Sequence, residues 1–434
     1  MTHRQQNSYA ERQVRDRIKQ RTREQAEEDE SNPTPRLLQD VHVGADVYSL
    51  TKFYLDYSYH SGFAMFEVFP MLDTGGSTGF CQDAIRAVAL ASSSRQFCQP
   101  RLMVEARRYY GKAIAGANAA FQDSELSKDS SLLVGLFLAG MFETIVTTQF
   151  ATKVIDSNDT CHPHSKGALA LLTFRAELGL CTNLDKSLFA FISHVTLMEM
   201  FTLQDLSTQM WSKLEGFESS WTVGVILDHE IRDAVDFRLH LHAIMNPSGS
   251  QPGLHELLQL SDSGISIAQN LDDAAARTSF WDTTEPVQRR ERKAFNSLFI
   301  LSTEVTEAIA ASFYRSVSLN ILQVMLTLLR NKLDQLDHCD DTQATIALYN
   351  ELISKTLDGI YEDIRIVLPL NGAHSVHQNP NLPYRGFWML WPMTAVLTSP
   401  AADRIRKVWV KDKLQNIGAI SGLGLATTVS NLPF

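Results

Sequence analysis

The sequence predicts an all-α protein, a large multi-helix bundle, on three grounds. Apolar residues recur at steps of three and four through much of residues 46–426, the period of a helix buried along one side. Convincing runs of alternating apolar and polar residues, the mark of half-buried strands, are absent. Three successive segments between residues 106 and 180 cannot bury their apolar faces alone, so they must share one core.

The first of these segments, residues 106–120, puts Ala106, Tyr109, Tyr110, Ala113, Ala117 and Ala120 on one face. The second, residues 131–146, is apolar nearly all round, with Leu132, Leu133, Val134, Leu136, Phe137, Leu138, Met141, Phe142, Ile145 and Val146. A helix with no polar side belongs at the centre of a large helical domain. The third opens at Ser165-Lys166-Gly167-Ala168, after a polar loop ending in Cys161-His162-Pro163-His164. Gly167 and Ala168, being small, would let it lie close to its neighbour. Ala106, Ala113, Leu133, Phe137, Phe142, Ala168 and Leu172 are the expected core.

Taken from the start, residues 1–45 read as a charged arm and linker. Arg4, Arg12, Arg15, Arg17, Lys19, Arg21 and Arg23 precede Glu24, Glu27, Glu28, Asp29 and Glu30, the wrong polarity for the dipole of a single helix. With Val14 and Ile18 almost its only apolar residues, the arm is expected to be disordered or partly helical. It is a solvated tail or a nuclear import or phosphate-contacting segment; both readings stay open. Ser31-Asn32-Pro33-Thr34-Pro35 then disfavours helix on both sides.

The folded body is expected over residues 46–426, with 427–434 a tail. Val47, Leu50, Phe53, Tyr54 and Tyr57, with residues 63–69, make an aromatic-rich opening. Residues 73–79 hold three glycines without a phosphate-binding spacing, hence a connection between helices. A small-residue helix over 83–94 should pack tightly under the 106–120 helix. Further helices are expected over 188–206, 227–245, 295–333 (one helix or a broken pair) and 342–368. Residues 246–290, with Ser248-Gly249-Ser250-Gln251-Pro252-Gly253, are the least regular and the expected mobile or surface region. Phe387-Trp388-Met389-Leu390-Trp391-Pro392 leads into a last helical stretch, 404–426, with Ile405, Val408, Trp409, Leu414, Ile417 and Gly418.

The order ARRYYGKAIAGANAAF, then SSLLVGLFLAGMFE, then His164, Gly167, Ala168, Leu171, Leu172 and Arg175 resembles the fungal-specific transcription factor domain. That domain is the helical middle region of zinc binuclear cluster regulators. The stretch around Tyr314-Arg315 and the ending from the aromatic–proline step to Ile417-Gly418 are similar to it as well. The family often continues Arg-Gly after its third helix, where this chain has Arg175-Ala176. The matching positions are core positions, so the resemblance implies a fold more strongly than a function.

The family's DNA-reading module holds two zinc ions on six cysteines ahead of the helical domain. This sequence has no cysteine before Cys81, so no zinc cluster and no direct sequence-specific DNA binding are expected of it. The five cysteines, Cys81, Cys98, Cys161, Cys181 and Cys339, are scattered and odd in number, which reads as reduced thiols in nucleus or cytoplasm. A net charge of −10 argues against wrapping nucleic acid. Residues 130–146 are the one segment considered as a membrane span, and they are too short for one.

Catalytic and metal motifs are missing. Asp159, Cys161, His162 and His164 have metal-type side chains, but Pro163 and tight spacing spoil their convergence. His240 and His242, two apart, sit on different faces of a helix, and His338, Cys339, Asp340 and Asp341 form a polar turn. No cofactor is expected, and no residue is assigned a catalytic role. The aromatic groups Phe53, Tyr54, Tyr57, Tyr59 and Trp388, Trp391, Trp409 could line an apolar pocket or fill a core. Two functions follow. The first is a nuclear regulator of a natural-product gene set, acting through protein partners as a homodimer or as a heterodimer with a zinc-cluster relative. The second is a helical scaffold turned cofactor-free cyclase or pericyclase on a hydrophobic metabolite.

Overall fold

A computed structural model describes residues 44–58, 66, 69–74, 79–123, 125–147, 163–180, 182, 184–185, 188–189, 201, 229–245, 253–277, 303–333, 340–369 and 381–432. The chain divides into two units, Met1–Ala45 and Asp46–Phe434. The described helices lie in the second unit, save for Ala45, the first residue of the first helix, and no strand occurs among the described residues. The fold is all-α.

One group of helices gathers around α5. In order these are α1 (Ala45–Phe53), a π-helical turn (Tyr54–Ser58), α2 (Phe69–Thr74), α3 (Gly79–Gln96), α4 (Pro100–Phe121), a 3-10 turn (Leu126–Lys128), α5 (Ser130–Val146) and α6 (Pro163–Glu177). Helix α5 is buried on every side from Ser131 to Ile145 apart from Gly140 and Glu143, because α3, α4 and α6 all pack on it. Asp129 caps it, its carboxylate accepting from the Ser131 amide at 2.8 Å. Ala106, Ala113, Ala117 and Ala120 of α4 are buried against α3, whose Ala84, Ala87, Val88 and Ala91 let the two backbones approach. The seven residues expected in the core, from Ala106 to Leu172, are all buried. Gly167 is not at a close contact, since a Cβ there would meet nothing within 4 Å, whereas Ala168 beside it is buried.

A second group gathers around α9. It comprises α7 (His229–Met245), α8 (Leu254–Arg277), α9 (Thr303–Leu333) and α10 (Asp340–Val367). Helix α9 is a single unbroken helix, packed by α7, α8 and α10. Its window from Glu304 to Asn331 is long and apolar enough to cross a membrane and is 78% buried within the protein, so residues 130–146 are not the sole stretch to weigh on that count. Helix α8 replaces the mobile or surface region expected over 246–290 with a packed helix at Leu254–Arg277, and residues 246–252 and 278–290 lie outside the described residues. Leu257, Ser261, Gly264, Ala268, Leu271 and Ala275 fall at alternating steps of four and three and form the buried seam of α8. Small and polar residues serve there because Tyr349 of α10 lies across the seam. Its hydroxyl donates to the Ser261 carbonyl at 2.8 Å, and a Cβ on Gly264 would come 2.9 Å from that oxygen.

Three C-terminal helices join the groups: α11 (Leu382–Thr398), α12 (Arg404–Ser421) and α13 (Gly424–Ser430). Helix α11 packs on α9, α10 and the π turn, while α12 meets α3 and α13 meets α5. Pro392 lies inside α11 rather than at a step before the next helix; its missing amide removes one ladder bond without ending the helix. Gly422 closes α12 in the left-handed region at φ 72°, where a Cβ would also strike the Ser92 carbonyl at 2.7 Å. The helical body reaches Ser430, with Val429 and Ser430 buried, so residues 427–430 are not a tail.

Ion pairs at helix contacts hold this arrangement, among them Arg175–Asp185 and Arg315–Asp363. Arg175 of α6, its side chain 2% exposed, donates from Nε to Asp185 Oδ1 at 2.6 Å and from Nη2 to Asp185 Oδ2 at 3.0 Å. The same guanidinium reaches Ser130 Oγ at 2.8 Å and the Lys128 carbonyl, pinning α6 to the start of α5. Arg315 of α9 donates to both oxygens of Asp363 of α10 at 2.5 Å. Burial pushes the Asp363 carboxyl up to about 6 in spite of Arg315.

Truncating one partner of a buried pair strands the other charge, so Arg175→Ala should cost about 3–5 kcal/mol of unfolding free energy. The double variant Arg175→Met, Asp185→Leu should lose much less, and denaturant titration of both distinguishes a stranded charge from lost packing. For Asp363 the folded state holds its proton more tightly than the unfolded one. Its contribution to stability is therefore full below pH ~4, the ordinary aspartate range, and is lost as the pH rises through about 6. Thermal unfolding between pH 4 and 7 should show the native protein losing stability relative to Asp363→Asn across that window.

Candidate functional site

The aromatic residues near the start of the body form core, not a pocket. Phe53 stacks on Phe69 with centroids 5.8 Å apart, and Tyr57 stacks on Phe66 at 6.2 Å. Phe66 in turn meets Phe137 of α5 and Tyr384 of α11 edge-on at 5.5 and 5.4 Å. Trp388 and Trp391 are buried within α11. Tyr59 lies outside the described residues.

Beside this cluster sits a polar lock. Lys52 and Asp56 pair at 2.5 Å, and Gln96 Nε2 donates to Asp56 at 3.2 Å and to the Ser421 carbonyl at 3.2 Å. Burial raises the Asp56 carboxyl, with Lys52 opposing it. The lock ties the π turn to α3 and to the end of α12. These bonds hold the π turn, α3 and α12 together.

The metal-type residues fare as follows. Asp159, Cys161, His162, Cys181, His338 and Cys339 lie outside the described residues, and so does the side chain of His164. His240 and His242 are both exposed on α7. Cys81 is buried and Cys98 exposed. Among the described residues no three His, Cys, Asp or Glu side chains converge as a metal site would require.

Trp409 is the exception among the aromatic residues, and it marks an open groove of about 530 Å³ between the end of α10 and the first half of α12. Tyr361, Arg365, Leu368 and Pro369 form one wall; Ile405, Arg406, Trp409 and Lys413 form the other. Tyr361 and Trp409 meet edge to face, their centroids 5.8 Å apart. A cation covers each ring, the Arg406 guanidinium 4.8 Å from the Tyr361 centroid and the Lys413 ammonium 5.3 Å from that of Trp409. Arg406 is steadied by Asp358 at 2.5 Å and by Asp403, the cap of α12, at 3.1 Å. Burial lowers the Lys413 ammonium and raises the Tyr361 phenol.

Helix α12 carries more apolar surface than its packing uses. Val410, Leu414, Ile417 and Gly418 face inward, whereas Ile405 is 82% and Val408 51% exposed. Ile405 lies nine residues before Leu414 and Val408 nine before Ile417, about two and a half turns, which puts both on the outer side of α12. Sequence reasoning named Ile405, Val408 and Trp409 but not Tyr361, Arg365, Arg406 or Lys413 as one site. Nothing in local spacing links residues 361–369 to 405–413; the link is the return of the chain through α11.

An exposed apolar side chain contributes little to folding, so Ile405→Ser and Val408→Ser should each shift stability by less than about 0.5 kcal/mol, read by thermal or urea unfolding. A loss of several kcal/mol would mean that these residues are core to the fold. Comparison with family models, with curated proteins and with solved structures finds no match to the chain.

Proposed function

We propose that the chain is a regulatory module of the kind that forms the helical middle region of zinc-cluster regulators. In this reading it works in the nucleus on a natural-product gene set, through protein partners rather than by reading bases itself. The observation that carries it is the groove of α10 and α12, where Tyr, Trp and Arg side chains stand beside the bare Ile405. Those residue types dominate the energetic centres of protein interfaces. Support also comes from the residues of the family resemblance. Ala168, Leu171, Leu172 and Arg175 are buried and make the contacts that set α6 against α5, as a shared helical core requires. The net charge of −10 fits a body that reaches DNA through another protein.

Deleting the gene should change the transcript levels of a defined gene set, and the protein tagged at its C-terminus should be found in the nucleus. Unchanged transcripts together with an accumulated biosynthetic intermediate that the purified protein converts would overturn the reading and make the chain an enzyme.

A further inference from the structure

We propose that the outer face of α12 pairs with the same face of a second copy of the chain, running antiparallel about Val408. Exposed residues recur down that face at helical spacing: Arg404, Ile405, Val408, Asp412 and Gln415. They lie away from the buried stripe of Val410, Leu414 and Ile417, so the packing of α12 on its own body leaves them open. Ile405 is 82% and Val408 51% exposed, and two bare aliphatic side chains a turn apart gain from burial against another apolar surface.

Charge selects the occupant. Arg404 and Asp412 stand four residues before and four after Val408, about 6 Å along the helix axis in each direction. Both are exposed, and among the described residues neither makes an ion pair. The Asp412 carboxylate accepts from the Asn416 side-chain amide at 3.1 Å, while Lys413, next to it in the chain, is buried and lies over Trp409. A two-fold axis at Val408 sets this residue against its own copy and each Arg404 level with the partner's Asp412. Two opposite-charge pairs then flank the aliphatic contact that Val408 and Ile405 make. A parallel pairing would instead set Arg404 against Arg404 and Asp412 against Asp412, which like charges disfavour. A wholly acidic or wholly basic partner would satisfy only one of the two charges. A face that carries both, at equal distances from its apolar centre, is complementary to itself. One helix pair is smaller than a standard interface of about 800 Å² per partner, so the dimer should be weak and concentration-dependent.

Sedimentation equilibrium of the full chain reads the pairing. The native protein should pass from monomer to dimer as its concentration rises, and Val408→Ser should weaken the dimer about tenfold. Arg404→Asp and Asp412→Arg, each checked for a native unfolding curve, should weaken it as well, since each sets like charges opposite one another. Mixed together, those two variants should recover the dimer, because the mixed pair matches opposite charges at both ends. Recovery on mixing also shows that neither variant is misfolded. A native protein that is monomeric at every concentration would overturn the proposal. So would a dimer indifferent to these changes, or two charge variants that fail to recover on mixing. The pairing does not depend on the regulatory reading, which transcripts test, so either can fail alone.

Discussion

The guanidinium of Arg175 is the constraint on which the first half of this fold depends. A charge with a side chain 2% exposed is tolerable in a protein interior only when its donors are met. Here Asp185 takes two of them, and Ser130 and the Lys128 carbonyl take others, so α6, the 3-10 turn and the start of α5 are held in one geometry. Asp185 is fixed from its other side by Thr182, whose amide donates to it at 2.8 Å. With the entry of α5 set in this way, its all-round apolar surface meets α3, α4 and α6 in a single register. The second half repeats the device with the partly buried Arg315 and the buried Asp363, which bind α9 to α10.

Much of this was legible in the sequence because burial leaves a period. The Ala106–Ala120 face, the apolar run of α5 and the stripe through Ile353, Leu357, Ile360 and Ile364 of α10 are all at the spacing of a one-sided helix. Helix α8 was not legible for a physical reason. Its seam is Ser261, Gly264 and Ala268 as much as Leu257 and Leu271, since the volume is filled from the other side by Tyr349. A hydrophobicity pattern records what a helix contributes to a core, and not what its neighbour contributes. Arg175 stood in the sequence as part of a recurring pattern, but its role follows from Lys128, Ser130 and Asp185, which no periodicity connects to it.

The groove was not legible for a different reason. Ile405 lies nine residues before Leu414, and Val408 nine before Ile417, about two and a half helical turns in each case, so both stand on the face of α12 opposite its buried stripe. The other wall of the groove comes from Tyr361 and Arg365 of α10, to which no spacing within α12 connects it. Arg406 lies over Tyr361 and Lys413 over Trp409, and their stems cover apolar surface.

Such a surface is poorly matched to water. It keeps Ile405 bare and holds a shielded phenol with no acceptor among the described residues. Neither feature belongs to the core of α12, which is complete through Val410, Leu414 and Ile417. A bare isoleucine set beside Tyr361, Arg406 and Trp409 separates the groove from a scatter of exposed residues, which folded proteins carry without consequence.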